Sequence, residues 1–491
     1  MSGDSARASP ALLTGWGRSA PTRAELARPH GIEELTAALQ DAAAAGRPVL
    51  ARGLGRSYGD AAQSAGGLVI DTTRCSRTIT WDGRTGLLRA EGGLSIDSLL
   101  RWSVPQGWFV PVTPGTRHVT LGGALAADVH GKNHHRDGAF TEAVESFTLL
   151  TAGGPRTVER DRDKAAFWAT AGGMGLTGVV LDMTMRLLRI ETASMVVETE
   201  RTHDLDACMA AMTDGDEDHR YSVAWVDCLA RGGNLGRSVL TRGDHAGLRD
   251  LECKAHRGAG ADPLHFSPRQ IASVPFTPPV SPLTALTVSA FNEAWYRRAP
   301  RTRRRTIETI SGFFHPLDGI GDWNRLYGPR GFTQYQFVVP FGAEDVVRAV
   351  IEALSSKRCP AFLAVLKRFG PGDEAPLSFP ARGWTLAVDL PLAVPGLGQL
   401  LDRFDDRVVE AGGRVYLAKD GRVRATALEA MYPRIDEWRS VRDELDPDGL
   451  FVSDLGRRLG LVPGKRPVPG KRPVPGKRPV PGKRRGSGSP S

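Results

Sequence analysis

Three glycine-rich segments in the first third of the chain constrain its fold more than any other feature. They read RGLGRSYG at 52–59, PGTRHVTLGG at 114–123 and HGKNHH at 130–135. The first follows directly on PVLA, a short apolar run that predicts a strand feeding a turn. Glycine lets backbone N–H groups come close to a ligand, and nests of such amides suit the pyrophosphate of a dinucleotide. Any one segment serves equally well as a tight turn. Three together, two of them carrying basic and imidazole side chains, point to a bound ligand.

A fourth segment, GMGLTG at 173–178, matches the GxGxxG pattern in the wrong setting. That fingerprint requires a strand before it and a helix after it. Here AAFWATAGG reads as helical and VVLDMTMRLL as a strand, so a nicotinamide-type Rossmann site is not expected. Residues 33–46 predict an amphipathic helix. GGLVIDTT and GLLRAEGGLS read as strands, and IDSLLRWSVPQGW as a helix closed by Pro105 and Gly107. Beyond Met185 the alternating runs SMVVETE, YSVAWVDCL, QYQFVVP, AFLAVLKRF and WTLAVDLP predict an antiparallel sheet. The runs AEDVVRAVIEALSS and LGQLLDRFDDRVVEAGG predict helices against it. The fold class is therefore α+β, and 491 residues suffice for two cores.

The net charge of +9 is local. Nine Lys and Arg lie in residues 461–491 with no Asp or Glu, so the remainder is near neutral and gives no sign of a nucleic-acid partner. That tail repeats VPGKRP, which forbids a helix and offers too little apolar area to fold, so it is expected to be disordered. The five cysteines form no CxxC pair, and only Cys253 has a histidine at ligand spacing, His256. His134 and His135, read as neighbours on a strand, point to opposite faces, and Asp137 alone does not complete a ligand set; no metal site is expected. The first residues lack the apolar core of a signal peptide. The uncharged stretch 270–292 is interrupted by Pro275, Pro278, Pro279 and Pro282 and does not read as a membrane helix.

ARGLGRSYGD, PGTRHVTLGG, HGKNHH and GGMGLTG, in that order, resemble the FAD domain of the vanillyl-alcohol oxidase/p-cresol methylhydroxylase class of flavoproteins. The later segments FFHPLDGIGDWNRLYGPRGFTQYQFVVP, FGPGDEAPLSFP and YLAKD, followed by MYPRIDEW, resemble the decaprenylphosphoryl-β-D-ribose 2-oxidase family of actinobacteria. The similarity covers residues 12–461. It implies a disordered N-terminus at 1–11, an FAD-binding domain at 12–195 and a substrate-binding domain at 196–412, built on an antiparallel sheet with flanking helices. A segment at 413–460 then returns to the FAD domain, and the basic tail follows at 461–491.

The resemblance places FAD against Arg52, Gly53, Leu54, Gly55, Arg56, Ser57, Tyr58 and Gly59, then Gly115, Thr120, Leu121, Gly122 and Gly123. Ala127, His130, Val180 and Tyr416 complete that pocket. Many relatives attach the flavin through a histidine in a Gly-His-Ser sequence; here the position reads Gly55-Arg56-Ser57, which implies a non-covalent cofactor. Lys419, His130 and Tyr58 are the implied catalytic residues. Lys132, Gln336, Lys367, Phe369, Thr385 and Lys419 are the implied substrate contacts, lysine suiting a phosphate as a compact charge. Ala387 stands where relatives often carry a cysteine, and Thr385 where an asparagine is expected. The implied reaction is oxidation of the 2-hydroxyl of a polyprenyl-phosphate ribose to the 2-keto sugar. It is the first half of an epimerisation to the arabinose donor for cell-wall arabinan, completed by a short-chain dehydrogenase/reductase partner. The alternative is a sugar-lactone or alditol oxidase of the same flavin class. A lipid substrate implies peripheral membrane contact through 270–292 or the tail. The expected location is cytoplasmic or cell-envelope, peripheral to the plasma membrane, with the periplasmic face left open.

Overall fold

The computed structural model describes residues 8–252 and 262–462. The first part of the chain builds two sheets. One has the order Ser9–Leu13, Thr22–Ala27, Leu68–Asp71, Val49–Arg52, its last three strands parallel. The other is antiparallel, in the order Thr78–Asp82, Leu87–Glu91, Val179–Arg186, Val144–Thr151, Gly154–Glu159. The helix Ile32–Ala44 lays Leu35, Leu39 and Ala42 into the core beneath the first sheet, at the i, i+4, i+7 spacing its sequence carries.

The second part is an eight-stranded antiparallel sheet. Its order is Arg304–Thr309, Ser194–Thr202, Ser238–His245, Tyr221–Val226, Ala364–Phe369, Gly383–Pro391, Phe332–Val339, Arg414–Val415. Period-two alternation splits its central strands cleanly. Phe337, Leu386, Val388 and Leu366 join one apolar core with Val347, Val350 and Ile351 of the helix Glu344–Ser356 and Leu400, Leu401 and Phe404 of the helix Leu397–Glu410. Each such fully buried side chain contributes about 1.5–3 kcal/mol of transfer free energy. The alternate positions Gln334, Gln336, Thr385, Ala387, Asp389 and Lys367 fall on the opposite face. The register places Gln336 opposite Ala387, and Thr385 opposite Lys367.

The chain ends by returning to its beginning. Phe451 bridges Val49, and the helix Asp454–Leu459 sends Arg458 to Asp60 at 2.8 Å and Asp420 at 2.9 Å. Both outer boundaries differ from the sequence reading. Residues 9–13 are a strand paired with Thr22–Ala27, since Leu13 finds a buried place beside Leu26, so order begins before residue 12. Leu461 and Val462 still pack in the main core, so the tail begins no earlier than 463; residues 463–491 lie outside the described residues. The GMGLTG segment is a turn between the helix Lys164–Thr170 and the strand Val179–Arg186, the order read from sequence. In residues 270–292 the short strand Ala272–Ser273 pairs with Ile320–Gly321, and the chain then runs irregularly to Thr284, whose hydroxyl caps the helix Ala285–Arg298. No helix among the described residues is long and apolar enough to cross a membrane.

Candidate active site

The first two glycine segments form a cradle of amides. The N–H groups of Leu54, Gly55, Arg56, Ser57, Gly115 and Thr116 meet no protein acceptor among the described residues. Gly115 is exposed, and a Cβ there would meet nothing within 4 Å, so packing within the protein does not demand a glycine. Unpaired amides around an open glycine are the donor set a pyrophosphate requires, and the residues present fit FAD. The second segment is clasped from both sides. Asp318 accepts from the Thr116 hydroxyl at 2.7 Å and the Arg117 amide at 2.8 Å, and the Arg117 guanidinium donates to Asp97 at 2.5 Å.

Other implied cofactor residues have different duties. The Arg52 guanidinium donates to the carbonyls of Ala62 at 2.6 Å and Thr14 at 2.8 Å, so it ties the loop to its own surroundings. Arg56 lies over the Trp16 ring at 3.9 Å. Gly53 lies against the Thr120 side chain and Gly59 against the Asp420 carbonyl, so these two allow chain-to-chain approach. Thr120 caps the short helix Leu121–Ala126 through the Gly123 amide, and Leu121 itself is core. Gly122 packs over Gly92, Val180 is half-buried in the antiparallel sheet, and Tyr416 donates its hydroxyl to the Ala127 carbonyl at 2.7 Å.

Facing this cradle, the polar side of the large sheet gathers most of the implied substrate residues. His130 is buried, 2.8 Å from the Gln336 amide nitrogen through Nε2, while its Nδ1 has no hydrogen-bond partner among the described residues. The same amide donates to Thr385 Oγ1 at 3.2 Å, and Phe369 packs edge-on against the imidazole. Burial, then the positive charge of Lys367, holds His130 well below the usual imidazole range, so it is neutral. Three lysines converge here. Burial pulls Lys132 down to about 7, aided by Lys367, and Lys367 itself to about 8. Burial also brings Lys419 to about 7, where Asp389 opposes the shift and Lys367 adds to it. Lys132 donates to the Phe313 carbonyl and sits 4.1 Å over that ring; Lys419 sits 4.0 Å over Tyr58. Half-buried amines that outnumber the carboxylates acting on them, Asp389 on Lys419 and Glu308 on Lys132, form a site that gains from an incoming anion.

The Tyr58 hydroxyl accepts from Gln334 at 3.3 Å, and burial raises its pKa, so it is a neutral wall and not a base. Gln334 and Asp389 were not read from sequence. Gln334 donates to Asp389 Oδ1 at 2.6 Å, and burial raises Asp389 to about 7 against the pull of Gln334 and Lys419. The signal was present: QYQ puts two amides at i and i+2, on one face of an otherwise apolar strand. His134 and His135 lie in the one-turn helix His134–Asp137, not on a strand. They still diverge. His134 packs on Phe369 at 4.4 Å, and His135 Nε2 lies 3.1 and 3.0 Å from the carbonyl oxygens of Asp216 and His219.

A flavin cradle on one domain, facing a half-buried cationic pocket on an antiparallel sheet, defines an FAD-dependent oxidoreductase. The family model described as FAD binding domain matches residues 24–158, and that described as D-arabinono-1,4-lactone oxidase matches residues 332–459. The decaprenylphosphoryl-β-D-ribose oxidase of Mycolicibacterium smegmatis is 44% identical over 454 residues, 92% of this chain and 97% of that one. An alditol oxidase of Streptomyces sp. is 25% identical over 91% of this chain and 98% of its own. An L-gulono-1,4-lactone dehydrogenase of Mycobacterium tuberculosis is 22% identical over 88% and 95%. The chain belongs to the decaprenylphosphoryl-β-D-ribose oxidase family.

Proposed function

We propose that this enzyme oxidises the 2-hydroxyl of decaprenylphosphoryl-β-D-ribose, or a close polyprenyl-phosphate ribose, to the 2-keto sugar. The carrying observation is the convergence of Lys132, Lys367 and Lys419, each half-buried, on one face beside neutral, buried His130. FAD, when bound, supplies the hydride acceptor. Lys132 and Lys367 hold the substrate phosphate, each regaining its charge there. His130 and Gln336, tied to one another and to Thr385, orient the ribose. Lys419 takes the hydroxyl proton as the carbinol hydrogen leaves with its electron pair; an amine near 7 is matched to that transfer, whereas His130 is too weak a base. Tyr58, Phe369 and Tyr416 close the walls against water. A short-chain reductase that returns a hydride to the opposite face of the ketone completes an epimerisation. The enzyme works peripherally at a membrane, in the cytoplasm or the cell envelope.

The test is an anaerobic absorption spectrum before and after adding a short-chain polyprenylphosphoryl ribose. Bleaching of the oxidised flavin bands is expected. A flavin that stays oxidised with that ligand but bleaches with a free lactone or alditol would instead support the reading favoured by the lactone-oxidase match at 332–459. Arg56 at the linkage position also predicts that acid precipitation releases all the flavin into the supernatant. Yellow colour retained in the pellet would contradict non-covalent binding.

A further inference from the structure

We propose that residues 270–305 form a docking face for a bilayer rich in anionic phospholipid headgroups. The proposal rests on the function above in one respect: a lipid-anchored substrate must be met where it lies. Of the eleven large apolar side chains exposed among the described residues, six fall in this stretch: Ile271, Phe276, Val280, Leu286, Phe291 and Trp295. Ile271 is 88% exposed, Val280 79% and Leu286 74%. A concentration of this kind on a water-soluble surface marks a contact site.

The helix Ala285–Arg298 has an unusual polarity. Val288 and Asn292 face inward, Asn292 donating to Asp227 at 2.7 Å. Its exposed positions as far as Trp295, namely Leu286, Thr287, Ala290, Phe291, Ala294 and Trp295, carry no charge; Arg297 and Arg298 close it. An ordinary surface helix turns its apolar stripe inward; this one shows apolar groups on the outside, with Phe291 and Trp295 stacked at 6.2 Å. Charge then arrives abruptly. RRAPRTRRR at 297–305 places six arginines in nine residues. Arg297 pairs with Glu293, Arg303 with Glu198, and Arg305 with Asp250, whereas Arg298, Arg301 and Arg304 form no ion pair among the described residues. Arg201, His203, Arg297 and Arg301 line an open groove of about 700 Å³ with Glu293 and Tyr296. An apolar stretch followed by a cationic rim is the ordering of a bilayer seen from water, hydrocarbon boundary first and phosphates around it.

The face is anchored beside the active site. Arg18 donates to Thr277 at 2.8 Å, and Arg325 to the carbonyls of Val274 at 2.8 Å and Pro275 at 2.9 Å. Leu283 packs against the cluster of Tyr58, Trp323, Tyr327 and Phe332. A lipid tail leaving the pocket past Tyr58 would therefore enter the bilayer at this face.

The experiment is vesicle flotation of the full-length holoenzyme with phosphatidylglycerol-rich vesicles and with phosphatidylcholine alone. Each cationic side chain near an anionic surface contributes roughly fivefold to binding, so R298E/R301E/R304E should bind the anionic vesicles about a hundredfold more weakly, or worse. F276S/W295S should lose binding to both, and Trp295→Phe should lose quenching of tryptophan fluorescence by brominated lipid. All three sets are on the surface, and each should keep its flavin and its rate with a soluble short-chain substrate in the absence of vesicles. Variants that float like the parent would overturn the proposal, leaving this face to a protein partner and vesicle binding to the basic tail. Failure of the soluble substrate to bleach the parent's flavin would sink the function while leaving the flotation result standing.

Discussion

Replacing Lys419 by methionine is expected to slow substrate reduction of the flavin by about 10²–10⁴, the usual range for removal of a general base, while the flavin stays bound. The ammonium lies over the Tyr58 ring, with the Asp389 carboxylate acting on it. Burial brings this lysine down to about 7. The sign follows: a base must be neutral to accept a proton, and the neutral amine predominates above its pKa. The rate of anaerobic bleaching should therefore rise as pH passes upward through about 7, then level off. The methionine variant should show no such limb. Asp389 holds Lys419 up, so Asp389→Asn should move the limb to lower pH. Stopped-flow reduction across the neutral range measures all three. A parent rate that instead falls through that range would mean that Lys419 acts as an ammonium, stabilising charge, and that the proton goes elsewhere.

The sequence pattern revealed strands wherever burial was one-sided or complete. QYQFVVP, AFLAVLKRF and WTLAVDLP carry their alternation because one face meets helices and the other a closed pocket. Three strands of the same sheet were silent, the two-residue Arg414–Val415 among them. Arg304–Thr309 is an edge strand whose first two residues are exposed arginines, so no apolar rhythm marks it. Ser238–His245 contains Arg242, which is buried yet paired with Asp216 at 3.3 Å and Glu200 at 3.1 Å, so a core position reads as surface. The same limit hid Asp389. A charged residue in an apolar run looks like an error in the pattern until the amide that satisfies it, Gln334, is seen one strand away. Lys132, Lys367 and Lys419 came from family resemblance alone, because no periodicity distinguishes a buried lysine from a solvated one.

Glycine was legible as a class but not by role, and a pair of substitutions separates the two uses. Gly59→Ala would place its Cβ 1.8 Å from the Asp420 carbonyl oxygen and 2.6 Å from its carbon. Both are backbone atoms, so no side-chain rotation relieves the clash. The cofactor loop and the turn carrying Lys419 are joined here by the Tyr58 amide, which donates to Ala418 at 3.0 Å, and by Arg458, which bridges Asp60 and Asp420. Separating them should cost about 3 kcal/mol or more, the upper end of ordinary overpacking. The expected result is a lower unfolding temperature together with loss of flavin. Gly115→Ala meets nothing within 4 Å and has an unstrained backbone, so its apoprotein should unfold at the parent temperature. Its flavin should nevertheless bind more weakly, because the added methyl would occupy open space beside the amides of Gly115 and Thr116 that would receive the pyrophosphate. Thermal unfolding of both variants with and without added FAD decides between the roles. Equal destabilisation of the two apoproteins would mean that both glycines serve packing, and the amide cradle would lose its strongest support.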